Sequence, residues 1–223
     1  MKILFNILCF FENQCVMNNR PDYWEKASAE LAKRDRKMAV FVKRYEDVSL
    51  VSRGDAFMTL ARSIVGQQIS VRAAESVWQR LLKSIETVTP ERILSCSHEQ
   101  MRNCGLSARK TEYLADLARH FTDGLIHVQK WSHMKDEEII AELTAVRGIG
   151  IWTAEMFLIF HEMRPDVFPL DDIGLQKAVA LHYCKNKRPT RQTLSGIGEK
   201  WRPWRSVATW YLWRSLDPVP VEY

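Results

Sequence analysis

Three observations predict an all-α fold. Apolar residues recur at helical spacing from Pro21 almost to the C-terminal end. The periodic stretches open at capping residues or prolines and close at glycines. No long β-alternation, internal repeat or low-complexity linker interrupts them. With 223 residues, 46% hydrophobic and 26% charged, the chain can bury a substantial core.

Taken in order, Asp22 is placed to cap a helix carrying Tyr23, Trp24, Ala27 and Leu31 on one side. Phe57, Leu60, Ala61, Ile64 and Val65 mark a second helix, broken at GQQIS and followed by a third through Val71, Ala74, Val77, Trp78, Leu81 and Leu82. Thr89-Pro90-Glu91 reads as cap, first-turn proline and first-turn acid, and Gly105 stops the helix that ends near Asn103. Ala108 to Phe121 is amphipathic, with Tyr113, Leu114, Leu117 and Phe121 inward. Asp136-Glu137-Glu138 opens a helix running to Val146. Past the turn Arg147-Gly148-Ile149-Gly150, another helix carries Thr153, Ala154, Phe157 and Leu158. A loop punctuated by Pro165 and Pro169 leads to Asp171-Asp172 and a helix through Leu175, Val179 and Leu181. Pro203 begins the last helix, with Trp204, Ala208, Tyr211, Leu212 and Trp213.

Composition narrows the function classes. The net charge of +5 favours a polyanionic partner such as nucleic acid. Five cysteines form no CxxC pair and no four-cysteine cluster, which points to a reduced, cytoplasmic protein without an iron–sulfur centre. No HExxH, Walker A or GxGxxG pattern is present. The opening run MKILFNILCFF is too short to span a bilayer, so no membrane association is expected. Residues 1–20 read as an N-terminal extension from a start site upstream of the true one, with Met17 as the alternative start. Residues 21–223 form the folded domain.

The segment LTAVRGIGIWTA, Leu143 to Ala154, carries the most information. Two glycines around one small apolar residue let backbone approach backbone, and the unpaired N–H groups of the following helix favour an anion. A DNA phosphate suits that place; a plain tight turn between helices fits the spacing too. The segment resembles the helix-hairpin-helix of the DNA glycosylase superfamily. Phe168-Pro169-Leu170-Asp171-Asp172 resembles the proline-rich loop and aspartate that follow it in the family. Ile64–Ser70 (IVGQQIS) and Trp201–Ser206 (WRPWRS) are similar to the branch containing 3-methyladenine DNA glycosylase II. Arg147 stands where the family often has proline.

The resemblance implies two helical lobes with the active-site cleft between them, and a monomer acting on double-stranded DNA that contains damaged bases. It places the catalytic carboxylate at Asp172; from the residues alone, a helix N-cap is the simpler reading of that aspartate. A carboxylate there would stabilise the oxocarbenium charge that develops at C1′ as the glycosidic bond breaks. Trp152, Trp213 and Met156 match the family's base-pocket positions, Met156 replacing an aromatic residue. Indole faces would stack on an extruded, N-alkylated purine. Gly148, Ile149, Gly150 and Thr153 match the phosphate-binding hairpin. Gln68 matches the wedge that fills the gap left by the flipped base, with Gln67 and Ile69 close seconds. Ser107-Ala108-Arg109-Lys110 resembles the family's GLSxxK segment and makes Lys110 a candidate phosphate contact; a solvated helix cap fits the segment equally well. Strand-nicking relatives carry a lysine where this chain has Trp152, so direct hydrolysis without strand cleavage is expected. No cofactor is expected beyond a monovalent cation at the hairpin carbonyls. Excision of alkylated purines such as 3-methyladenine is the favoured activity. Excision of uracil or other deaminated bases, and a catalytically silent DNA-binding damage sensor, remain open alternatives.

Overall fold

Capping chemistry sets most helix boundaries in the computed structural model, which describes residues 20–52 and 54–216. Among these residues the chain is helical throughout, with no strand. In chain order the helices are α1 (Trp24–Arg34), α2 (Arg36–Arg44), α3 (Ala56–Gly66), α4 (Val71–Ile85), α5 (Pro90–Ser95), α6 (His98–Asn103), α7 (Ala108–Thr122), α8 (Asp136–Ala145), α9 (Ile151–Phe160), α10 (Ile173–Tyr183), α11 (Arg191–Glu199) and α12 (Arg205–Arg214). A 3₁₀ segment, Val128–His133, precedes α8. Side chains of Asp55, Ser70, Thr89, Ser97, Ser107 and Thr190 accept backbone N–H groups at the starts of α3, α4, α5, α6, α7 and α11. Among the described residues, no helix is long and apolar enough to cross a membrane. The expectations for the N-terminal run and for Met17 lie outside the described residues.

Two expected boundaries move. Asp22 does not cap α1: Tyr23 occupies that position without a side-chain bond, because the backbone turn from Pro21 O to Trp24 N (2.9 Å) already satisfies a donor there. Pro203 does not begin the last helix, which starts at Arg205. Trp204 N bonds Trp201 O at 2.7 Å, closing a turn that contains the proline. The apolar pattern of the sequence does not predict helices α2 and α11. Helix α2 buries only Met38 and Phe41, and α11 contains two glycines and buries only Leu194 and Gly198, so neither presents a long apolar stripe.

The chain divides into two compact units. The first comprises described residues 54–157. Its core gathers Phe57, Leu60 and Ile64 of α3, Val77, Trp78 and Leu81 of α4, Leu114 and Leu117 of α7, and Ile139 and Leu143 of α8, all buried. The edge-to-face pair Phe57–Phe121 joins α3 to α7, and Trp131–Phe157 joins the 3₁₀ segment to α9, with centroids 5.1 and 5.4 Å apart. Glu142 of α8 accepts from the Trp131 indole (3.0 Å) and contacts His127 Nδ1 (2.7 Å), tying the 3₁₀ segment to that helix.

The second unit comprises residues 20–52 and 158–216. Its core is built on aromatic residues: Trp24 meets Trp210 edge-on at 5.1 Å, and Tyr211 shares a hydrogen bond with Ser28 at 2.9 Å. Asp35, the single residue between α1 and α2, does several jobs. One oxygen accepts the Lys37 and Met38 N–H groups, and the other accepts from Tyr183 Oη (2.9 Å) and Trp201 Nε1 (3.2 Å). One carboxylate therefore caps α2 and fastens it to the end of α10 and to Trp201. Asp35→Ala is expected to cost about 2–4 kcal/mol, from a lost cap and orphaned donors. A fall in the denaturant midpoint of the purified protein checks this.

Candidate active site

Two groups of residues, one in each unit, carry the chemistry-bearing side chains singled out from the sequence.

In the first unit the hairpin Val146–Gly150 connects α8 to α9. Gly148 has φ +88°, and a Cβ there would lie 2.3 Å from the Tyr113 ring of α7. Only glycine meets both conditions, the left-handed backbone and the missing side chain. The Arg147 N–H donates to Asp116 Oδ2 of α7 at 2.8 Å, a bond that a proline at this position could not make. This is the physical content of the departure from the family's usual residue. Tyr113 is half-buried, rather than fully inward, because its ring lies beneath the exposed Gly148. Ile149 is buried, so it contributes its backbone to the hairpin surface, while Gly148, Gly150 and Ile151 are exposed. Thr153 is half-buried in the first turn of α9.

The turn after α3 lies beside this hairpin. Gln67 Nε2 donates to Gly148 O at 2.9 Å. Gln68 is exposed and has φ +59°, a conformation that costs a non-glycine residue about 1 kcal/mol. Ile69 is half-buried. Lys110 Nζ donates to the carbonyls of Val65 and Gln67, both at 2.7 Å. Burial lowers the Lys110 pKa below the usual lysine value. On α9, Met156 is buried and Trp152 is half-buried. The other seven tryptophans are all buried, so Trp152 is the indole with accessible surface.

In the second unit, Asp172 is the N-cap of α10 and only 1% exposed. Its Oδ1 accepts from Leu175 N at 2.6 Å and from the Trp213 indole at 2.8 Å. Trp213 is also buried, stacked on Phe160 with centroids 5.6 Å apart and planes 13° off parallel. The family resemblance puts Trp213 at a base-pocket position, and nothing in the sequence signals that its N–H serves the aspartate. Asp171, one position earlier, is exposed and paired with Arg191.

The proline-rich loop before Asp172 is strapped in place within the same unit. Arg205 Nε donates to Asp166 Oδ1 at 2.7 Å, Ser206 N to Pro165 O at 3.0 Å, and Val167 N to Ser206 Oγ at 2.9 Å. The Phe168 ring covers Gly198, where a Cβ would fall 2.4 Å from it. These contacts account for the second arginine and the serine of WRPWRS. Among the described residues, no group of three or more His, Cys, Asp or Glu side chains is gathered for a metal ion.

With this geometry in view, the chain matches a family model described as "HhH-GPD superfamily base excision DNA repair protein" over residues 61–203. It is 34% identical to DNA-3-methyladenine glycosylase 1 of Schizosaccharomyces pombe, over 81% of this chain and 81% of that protein. The structure of the S. pombe 3-methyladenine DNA glycosylase in complex with abasic DNA superposes with a TM-score of 0.73, covering 85% of this chain and 96% of that one. A DNA-3-methyladenine glycosidase from Bacillus halodurans gives a TM-score of 0.76 at 31% identity, over 85% and 88% of the two chains. A putative DNA-3-methyladenine glycosylase of Bacillus subtilis is 29% identical over 81% of this chain, which spans 66% of that protein's length.

Replacing Gly148 with alanine is expected to cost about 2–4 kcal/mol, combining a left-handed backbone penalty with overlap on Tyr113. Denaturant unfolding of Gly148→Ala, Tyr113→Ala and the double variant measures it. The double variant should lose less than the sum of the two singles.

Proposed function

Because the chain belongs to the HhH-GPD superfamily of base excision DNA repair proteins, we propose that it is a monofunctional DNA glycosylase. Its substrates in this reading are alkylated purines of the 3-methyladenine type in double-stranded DNA, and residues 21–223 form the glycosylase domain. The observation that carries the reading is the Asp172 carboxylate, buried at a helix start and fixed through Oδ1 by two donors. The named activity of the S. pombe and Bacillus relatives supports the substrate class.

The chemistry follows from what each group can do. Gly148, Gly150 and the first turn of α9 offer backbone N–H groups to a DNA phosphate, which positions the duplex without reading sequence. Gln68, the exposed residue of the α3–α4 turn, enters the stack where the damaged nucleotide leaves it. Gln67 and Ile69 flank it, the first already bonded to the hairpin. The extruded base stacks on Trp152, whose electron-rich face attracts the positive charge of an N-alkylated purine. Met156, one turn further along α9, adds a polarisable apolar contact. As the glycosidic bond lengthens, electrons pass to the departing base and positive charge grows at C1′. Asp172 stabilises that charge and orients a water, which adds to C1′ as its proton passes to the Asp172 carboxylate. Trp213 serves this step by holding the carboxylate in one orientation. No amine stands at the Trp152 position, so no Schiff base forms there and the strand stays whole.

This sequence of steps requires no redox or organic cofactor. Hairpin carbonyls are available to a monovalent cation only in part. Val146 O, Gly148 O and Gly150 O each already accept one N–H, from Ile149, Gln67 and Ala154, and keep one further lone pair. A cation there would add local positive charge near a bound phosphate, and no step depends on it.

Asp172→Asn is expected to slow base release from methylated duplex DNA about a hundredfold to a thousandfold. Free bases and strand breaks are scored separately: the wild type should leave abasic but unbroken strands. Release that survives the substitution would remove Asp172 from the mechanism. A wild type that releases no alkylated purine would point to a deaminated base or a silent binder. Trp213→Phe keeps the stack on Phe160 but removes a donor from Asp172. We expect about a tenfold lower single-turnover rate with little change in DNA affinity.

A further inference from the structure

We propose that Lys110 is a positioning residue that locks the α3–α4 turn to the hairpin before DNA arrives. This rests on the reading that both segments engage DNA. The ammonium sits at the C-terminal end of α3 and bridges two carbonyls, Val65 O and Gln67 O, each at 2.7 Å. Carbonyls at a helix end lack intrahelical donors and carry partial negative charge, so a cation there is doubly favoured. With its own carbonyl held from α7, Gln67 turns its side-chain amide to Gly148 O at 2.9 Å. Gln68 follows in a left-handed conformation at the exposed tip.

A continuous polar chain therefore runs from α7 through the turn to the hairpin: Lys110 to Gln67 by backbone, then Gln67 to Gly148 by side chain. The same helix contacts the hairpin through Tyr113 beneath Gly148 and through Asp116, which accepts the Arg147 N–H. Ser107 caps that helix three residues before the lysine, which accounts for the spacing in Ser107-Ala108-Arg109-Lys110. A short turn with a strained tip loses little entropy on binding only if it is already fixed, and this chain of bonds fixes it.

The alternative role for Lys110, a direct phosphate contact, makes different demands. A phosphate contact lowers the salt dependence of DNA affinity by about one unit of slope when removed; a latch leaves the slope unchanged. The variants are Lys110→Met, Gln67→Leu, Gln68→Ala and the Lys110→Met/Gln68→Ala pair. Gln67→Leu cuts the exposed half of the chain and keeps the test available if Lys110→Met folds poorly.

Two readouts separate this proposal from the glycosylase reading. Amide hydrogen exchange without DNA should rise about tenfold at residues 66–70 in Lys110→Met and Gln67→Leu. Base release from methylated duplex should fall about tenfold to a hundredfold in Lys110→Met. That loss should shrink severalfold when Gln68 is already alanine, because both substitutions then act on one element. Unchanged exchange in both latch variants, losses that multiply in the double variant, or a salt slope reduced by about one would overturn the latch. A wild type that releases no base would overturn the glycosylase reading instead, and the exchange result alone would then decide the latch.

Discussion

The contact between Gly148 and the Tyr113 ring is the constraint on which the arrangement of the hairpin and the α3–α4 turn depends. A glycine that must be glycine, for both its backbone angle and its missing Cβ, lets the hairpin lie directly on α7. Once that surface is shared, Asp116 can take the Arg147 N–H and Gln67 can reach Gly148 O. Three residues of α7, Lys110, Tyr113 and Asp116, thus serve two segments far apart in sequence. A side chain at Gly148 would separate the two surfaces and loosen each of these bonds.

The second unit depends on a different device. Its proline-rich loop is fastened by Arg205 and Ser206 at the start of α12, so the position of Asp172 is set from both sides: by the loop before it and by α10 after it. The simple interpretation of Asp172, a helix cap, and the chemical one do not compete. Accepting the Leu175 N–H makes it a cap, and the same bond, with that from Trp213, limits the orientation of the carboxylate. A preorganised acceptor needs no reorganisation as charge develops, which is why a structural role favours the proposed catalytic one.

The tryptophans divide along the same line. Seven are buried, and those of the second unit pack against one another, against tyrosines, or donate to carboxylates: Trp201 to Asp35, Trp204 to Glu30 and Trp213 to Asp172. Their N–H groups need acceptors once buried, and acidic side chains supply them. Trp152 stands apart as the one tryptophan that is only half-buried.

The all-α class, most helix starts, the glycine hairpin and the aspartate after the proline-rich loop are legible in the sequence. Each is encoded locally, by apolar period, capping residue or backbone freedom within a few positions. The sequence is less informative where a helix lacks an apolar stripe, as in α2 and α11, and where a backbone turn replaces a side-chain cap, as at Tyr23. The partners of these residues emerge only in the folded chain. Lys110, by resemblance a candidate phosphate contact, bridges two carbonyls; Trp213, matched to a base-pocket position, donates to Asp172; Tyr113, expected inward, floors the hairpin. Hydrogen bonds and close contacts between residues tens of positions apart leave no periodic trace in sequence. They arise when packed helices bring a donor within 3 Å of an acceptor, and that geometry exists only in the folded chain.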